Sequence, residues 1–131
     1  MKKTVLITGA TNGYGLATAK KFKAEGWYVI IASRNEEKVK KVVSENGFDD
    51  GYCLDVSVYD SWVCLRDKIK EKYGCVDVLV NNAGGGVNIA DVTEQPHELI
   101  DYAVSLNLNS VMYSCKLFGE LMKERKSGTV I

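Results

Sequence analysis

A single histidine, a single proline and no excess of either charge mark this 131-residue sequence, in which Lys+Arg and Asp+Glu stand at 17 each. Balanced charge excludes the broad cationic surface that nucleic acid requires. The densest basic stretch, Lys38, Lys40 and Lys41, sits among Glu36, Glu37 and Glu45 and reads as a solvated helix face. His97 lies near a helix start with no cysteine or carboxylate pattern beside it, and reads as a surface residue. The four cysteines (Cys53, Cys64, Cys75 and Cys115) include no C-x-x-C pair. They read as buried free thiols of a reducing cytoplasm, and no metal is expected. No apolar run is long enough to span a membrane. Val5–Ile7 is too short for the apolar part of a secretory signal, and no small-residue cleavage pattern follows it. The acidic pairs Glu36-Glu37 and Asp49-Asp50 fall in charged surface contexts, and Trp27 and Trp62 read as core. Repeats, low-complexity tracts and linkers are lacking, so residues 1–131 read as one domain.

The remainder is ordinary globular composition, 46% hydrophobic and 26% charged. Thr4–Thr8 is a continuous apolar run with β-branched residues, the pattern of a strand buried on both faces. Gly9–Gly15 is a glycine-rich turn, and Leu16–Glu25 has helical periodicity ending at Gly26. A strand over Trp27–Ala32, a charged helix over Glu36–Glu45 and a short strand over Gly51–Leu54 follow. Tyr59–Tyr73 then reads as a helix and Val76–Val80 as a strand. A loop runs to about Gln95, where Pro96 suits a first helical turn. One long helix is expected over His97–Lys126, apolar over so wide an arc that it should pack on more than one side. Ser127-Gly128 breaks it, and Thr129–Ile131 begins a fifth strand. Strands alternating with helices imply an α/β fold: a Rossmann-type, doubly wound parallel sheet in three α/β/α layers with right-handed crossovers. The sequence stops inside a buried-type strand, which would leave a sheet edge bare, so it reads as the N-terminal part of a longer domain truncated at the fifth strand.

Four places carry chemistry. In Gly9-Ala10-Thr11-Asn12-Gly13-Tyr14-Gly15 the glycines permit a tight turn and close approach of a ligand. The N–H groups and dipole of the following helix favour a pyrophosphate. The turn has the strand before and helix after that a dinucleotide site needs, and no lysine follows to make a nucleotide-triphosphate loop. At the end of the second strand, Ser33-Arg34 stands where NAD-binding folds usually carry an acid for the ribose 2′-OH. Hydroxyl and guanidinium suit a 2′-phosphate, so NADP(H) is expected over NAD(H), although Arg34 stacking on adenine without discriminating is the alternative. Asp55-Val56, after the third strand, faces the adenine region; Asp55 either bonds the adenine amino group or caps the next helix, with Ser57 as rival cap. Asn81-Asn82-Ala83-Gly84 follows the fourth strand at the same sheet edge, where Gly84 lets the backbone pass close to a ribose or nicotinamide.

Together these motifs resemble the short-chain dehydrogenase/reductase family over the whole chain: Thr8-Gly9-x3-Gly13-x-Gly15, Asp55, Asn81-Asn82-Ala83-Gly84, Asn107 within Leu106-Asn107-Leu108, and Gly128-Thr129-Val130-Ile131. The resemblance implies that the glycine turn holds the cofactor phosphates and that Asn82, Ala83 and Gly84 stabilise the sheet and line the adenosine side. It also implies that Asn107 takes a catalytic place in a proton relay; the alternative is a polar residue bending or capping the long helix. Tyr14 stands where the family most often has a small aliphatic residue, and is expected to touch the nicotinamide side or the substrate. The implied reaction is hydride transfer between nicotinamide and a ketone or secondary alcohol, with homo-oligomers formed through helix 97–126. The family's serine and Tyr-x-x-x-Lys pair are absent: the residues four after the seven tyrosines are Thr18, Ala32, Val56, Val63, Asp77, Leu106 and Leu117. Without that general acid, a loss of about 100- to 10,000-fold in rate is expected, so the 131 residues alone should be inactive. A non-catalytic dinucleotide-binding protein or partner subunit, or a decayed gene product, stand as alternatives.

Overall fold

In the computed structural model, which describes residues 2–131, aliphatic and β-branched runs form five parallel strands. They are β1 (Thr4–Thr8), β2 (Tyr28–Ser33), β3 (Asp50–Cys53), β4 (Val78–Val80) and β5 (Thr129–Val130). Their order in the sheet is β3-β2-β1-β4-β5. Leu6 of β1 pairs in register with Ile30 of β2 on one side and Leu79 of β4 on the other. The order reverses beside β1, where the connections leave to opposite faces and open a crevice at the strands' C-terminal ends.

Alternation along the strands divides the core into two layers. Leu6, Ile30 and Leu79 face Trp62, Leu65 and Ile69 of α3 (Tyr59–Tyr73) and Leu117, Phe118 and Leu121 of α5 (Ser110–Arg125). Val5, Ile7, Val29 and Ile31 face Ala19 of α1 (Gly13–Ala24) and Val39 and Val42 of α2 (Glu36–Asn46). Trp62, fully buried, meets Phe118 edge to face at 6.1 Å and donates its indole N–H to the Val56 carbonyl at 2.9 Å. Trp27 is only half-buried, packed on Phe22 under the Lys3 ammonium. The three-layer α/β/α Rossmann-type architecture is therefore as the sequence implies.

Several details differ. α1 begins at Gly13, three residues early, because the glycine turn itself winds into the first helical turn. β2 extends to Ser33. Val76 and Asp77 precede β4, as the Asp77 carboxylate turns to the Thr4 N–H at 2.7 Å and the Arg125 guanidinium at 3.3 Å. The loop before Pro96 holds a 3-10 turn, Val92–Glu94. The expected single helix over 97–126 is α4 (His97–Val104), a π-helical turn (Ser105–Asn109) and α5. Its α5 part packs both on the sheet and on α3, where Tyr113 and Phe118 meet Tyr59 and Trp62, whereas Ile100, Val104, Leu108 and Met112 are exposed. Of the cysteines only Cys75 is buried; Cys53, Cys64 and Cys115 are exposed free thiols, because β3 is an edge strand and the other two lie on outward helix faces. Among the described residues no helix is long and apolar enough to cross a membrane.

The Asp49-Asp50 pair is not a solvated charge cluster. Asp49 accepts from the Lys23 ammonium and the Val29 N–H, both at 2.8 Å. Asp50, at the N-terminal end of β3 away from the crevice, accepts from Tyr52 (2.8 Å), Tyr73 (2.5 Å) and Lys72 (2.8 Å) and from the Gly51 N–H (2.9 Å). Burial pulls its pKa upward, but the donors from Lys72, Tyr73, Tyr52 and Gly51 together outweigh it and hold the carboxyl below 3.8. Burial and the Asp50 charge push Tyr52 up to about 12. A depressed carboxyl contributes stability above its unfolded pKa and loses it as pH falls through the folded one. Asp50→Asn is expected to lower stability at pH 7 by about 1–2 kcal/mol and to flatten the acid limb below pH 4, as read by urea titrations across pH. An unchanged acid limb would remove Asp50 from the account.

Candidate functional site

A cleft of about 820 Å³ lies over the C-terminal ends of β1, β2 and β4. Gly9, Thr11, Asn12, Gly13 and Tyr14 form its floor, Ser33 and Arg34 one corner, Val56 the adjoining wall, and Asn82, Ala83 and Gly84 the opposite side. Eleven of the thirteen residues expected to touch the cofactor thus line one cavity; Gly15 and Asp55 do not. Gly15 lies behind the floor, buried, where a Cβ would meet the Asn82 amide and the Gly9 carbonyl. Asp55 turns its Oδ1 to the Ser57 N–H (3.0 Å) and hydroxyl (2.6 Å) in the turn before α3; neither it nor Ser57 caps that helix, whose N-cap position is Val58 with no side-chain cap. Ala32, Asn35, Lys38, Leu54 and Leu106 also line the cleft and were not anticipated.

The floor is shaped for an anion. Gly9 (φ +62°) and Gly13 (φ +54°) adopt the left-handed backbone that the turn needs, and a Cβ on Gly9 would lie 2.9 Å from the Ala83 Cα. Asn12 precedes α1 in extended conformation, its side chain makes no cap, and the first turn holds no acid. The first N–H groups of α1 are therefore left for a ligand. By contrast α2 is closed by its own cap, Asn35 Oδ1 accepting from the Lys38 N–H at 2.9 Å, with Glu36 and Glu37 in its first turn. Lys38 also lines this cleft, giving with Arg34 two cations on a lining that holds no carboxylate. Arg34 donates Nη1 to the Tyr102 hydroxyl at 3.0 Å, and its carbonyl accepts the Cys53 thiol at 3.2 Å. Tyr14 is 90% exposed at the floor's edge.

The far side is tied together through Thr8 and Asn82. Asn82 Nδ2 donates to the carbonyls of Thr8 (3.0 Å) and Gly9 (3.1 Å), while the N–H groups of Asn82 and Ala83 donate to the Thr8 hydroxyl at 3.1 and 3.0 Å. Side-chain bonds thus staple the ends of β1 and β4 where strand pairing stops. Asn107, in the π-helical turn, accepts from the Gly85 N–H at 2.8 Å and donates Nδ2 to the carbonyls of Gly85 and Ala103, both at 2.9 Å. Both amide hydrogens are used, and the side chain inserted toward Ala103 belongs with the local departure from α-helix. The neighbouring Asn81 accepts from the buried Ser114 hydroxyl at 2.7 Å and leaves its own buried Nδ2 without a partner. A second, mostly apolar hollow of about 450 Å³, lined by Val87, Leu99, Ile100, Ala103 and Asn107 among others, lies between the loop after β4 and α4.

Known proteins share this arrangement. Residues 3–131 match the short chain dehydrogenase family model. A monensin polyketide synthase putative ketoacyl reductase of Streptomyces virginiae is 39% identical over 98% of this chain and 51% of its own length. The uncharacterized oxidoreductase YxbG of Bacillus subtilis (strain 168) is 35% identical over 98% of this chain and 48% of its own. A variant of the actinorhodin polyketide ketoreductase, crystallised with NADPH, superposes with a TM-score of 0.91 at 34% identity, over 98% of this chain and 51% of that one. The chain thus spans about half the length of the curated relatives it matches. A family match running from β1 through β5, with the glycine floor and the Asn82 staple in place, makes this chain a member of the short chain dehydrogenase family.

Proposed function

We propose that the cleft binds NADP(H) in preference to NAD(H), for a short-chain oxidoreductase that moves hydride between the nicotinamide and a ketone or secondary alcohol. One observation carries the reading: an uncapped helix N-terminus shares a cleft with Arg34 and Lys38, and no carboxylate lines it. The N–H groups of Gly13, Tyr14 and Gly15 would take the pyrophosphate, with Thr11 and Asn12 beside them. Ser33, Arg34 and Lys38 would take the 2′-phosphate by charge-assisted bonds. Leu54 and Val56 would flank the adenine near Asp55, and Asn82, Ala83 and Gly84 would border the ribose. The bound cofactor would supply or accept the hydride. Asn107 fixes the Gly85 backbone and, with both its amide hydrogens engaged, its side chain can join a proton relay only as an acceptor. The relative named as a ketoacyl reductase and the neighbour crystallised with NADPH agree with this reading.

A cytoplasmic setting is proposed, where the three exposed thiols stay reduced. Self-association is proposed through the exposed strip Ile100, Val104, Leu108 and Met112 along residues 97–126. Calorimetric titration of the full chain with NADPH and NADH tests the cofactor preference. NADPH is expected to bind at least about tenfold more tightly, one charge-assisted contact being worth that much. Equal affinities would sink the 2′-phosphate assignment.

A further inference from the structure

Tyr102 holds a place that the dinucleotide reading does not assign. Its hydroxyl accepts a hydrogen bond from Arg34 Nη1 at 3.0 Å across 68 positions of sequence. Arg34 leaves the end of β2, whereas Tyr102 is on α4, one turn before Leu106 of the cleft wall. The bond therefore reaches from the β2 corner to the helix on the far side of the crevice. The chain has three arginines. Arg66 is paired with Asp67 and Glu120, and Arg125 with Asp77. Arg34 alone of the three has no carboxylate partner among the described residues, and its guanidinium is held by the Tyr102 hydroxyl.

The distinction matters physically. A carboxylate would fix the guanidinium and also cancel its charge. A phenol oxygen fixes it and leaves the charge, and most of its five donors, for an incoming anion. Arg34 is otherwise exposed, and a long exposed side chain must be ordered when a ligand arrives. The half-buried Tyr102 ring does part of that ordering beforehand.

We propose that Tyr102 is a specificity-determining residue: it pre-positions Arg34 for a 2′-phosphate and so sharpens the choice of NADP(H) over NAD(H). The inference rests on the NADP(H) reading of the cleft. Its test is a calorimetric cycle on the full chain: the unsubstituted protein, Tyr102→Phe, Arg34→Ser and the double variant, each titrated with NADP⁺ and NAD⁺. Tyr102→Phe keeps the ring and removes the acceptor. It is expected to weaken NADP⁺ by about 3- to 10-fold with NAD⁺ unchanged within about twofold, and the double variant should be no weaker toward NADP⁺ than Arg34→Ser, the mark of two residues acting as one. If Arg34→Ser removes the preference while Tyr102→Phe leaves both affinities alone, or lowers both equally, the inference falls and the NADP(H) reading stands. If Arg34→Ser leaves the preference intact, or the unsubstituted chain binds neither dinucleotide, the reading beneath it fails as well.

Discussion

Replacing Gly15 by alanine should lower the stability of the chain by about 2–4 kcal/mol, although Gly15 lies inside a helix, where alanine ordinarily adds about 1 kcal/mol. Helix propensity counts only the backbone. At Gly15 the added Cβ would lie 2.6 Å from the Gly9 carbonyl and 3.0 Å from the Ala10 Cα, and against the Asn82 amide. Two of those three atoms are main chain and cannot swing aside. The third is the Nδ2 that bonds the carbonyls of Thr8 and Gly9, so displacing it unmakes the staple between β1 and β4. Each carbonyl left unpartnered costs about 1–3 kcal/mol. The floor of the cleft rests on the same contact, so NADPH binding should weaken along with stability. Gly119 supplies the contrast: it too is helical, yet a Cβ there meets nothing within 4 Å. Gly119→Ala should raise stability by about 0.5–1 kcal/mol. Urea titrations of both variants decide the matter; a Gly15→Ala protein as stable as its parent would show that α1 can shift away from Asn82 without loss.

The glycine floor was legible because its determinants are local: a buried-type strand, a glycine turn and a helix follow one another within twenty-five residues, and each sets the backbone of the next. The parallel sheet was legible for a similar reason, since runs such as Val5-Leu6-Ile7 and Val29-Ile30-Ile31 are apolar on both faces. What escaped depends on distant partners. Asp50 looks solvated beside Asp49, yet its donors Lys72 and Tyr73 come from 22 and 23 residues away. Leu106-Asn107-Leu108 keeps helical periodicity, so the π-helical turn is hidden; it accompanies the bonds of Asn107 to Gly85 across 22 residues and to Ala103. Lys38 looked like one more cation on a charged helix face. It lines the cleft in the first turn of α2, whose start could have been read from the Asn35 cap placed just before Glu36-Glu37.

Arg34→Asp should reverse the cofactor preference, lowering the NADPH:NADH affinity ratio by about 100- to 1,000-fold. Two effects act in the same direction. The loss of charge-assisted bonds to a 2′-phosphate is worth about 1.5–3 kcal/mol, and a carboxylate in that place repels the phosphate while offering an acceptor to a ribose 2′-OH. Ser33 and Lys38 remain, so NADPH binding should persist at reduced strength; the Lys38 ammonium would then sit beside a carboxylate that partly neutralises it. Because Arg34 is exposed, the effect must be sensitive to salt. In the unsubstituted chain NADPH affinity should fall between 50 and 300 mM salt more steeply than NADH affinity, with screening length shrinking from about 14 to 6 Å, and in Arg34→Asp that difference should narrow. Fluorescence titrations at the two salt concentrations measure all four affinities for each protein. A ratio unmoved by Arg34→Asp, with NADPH still preferred, would mean that discrimination rests on Lys38 and Ser33, and that Arg34 only covers the adenine.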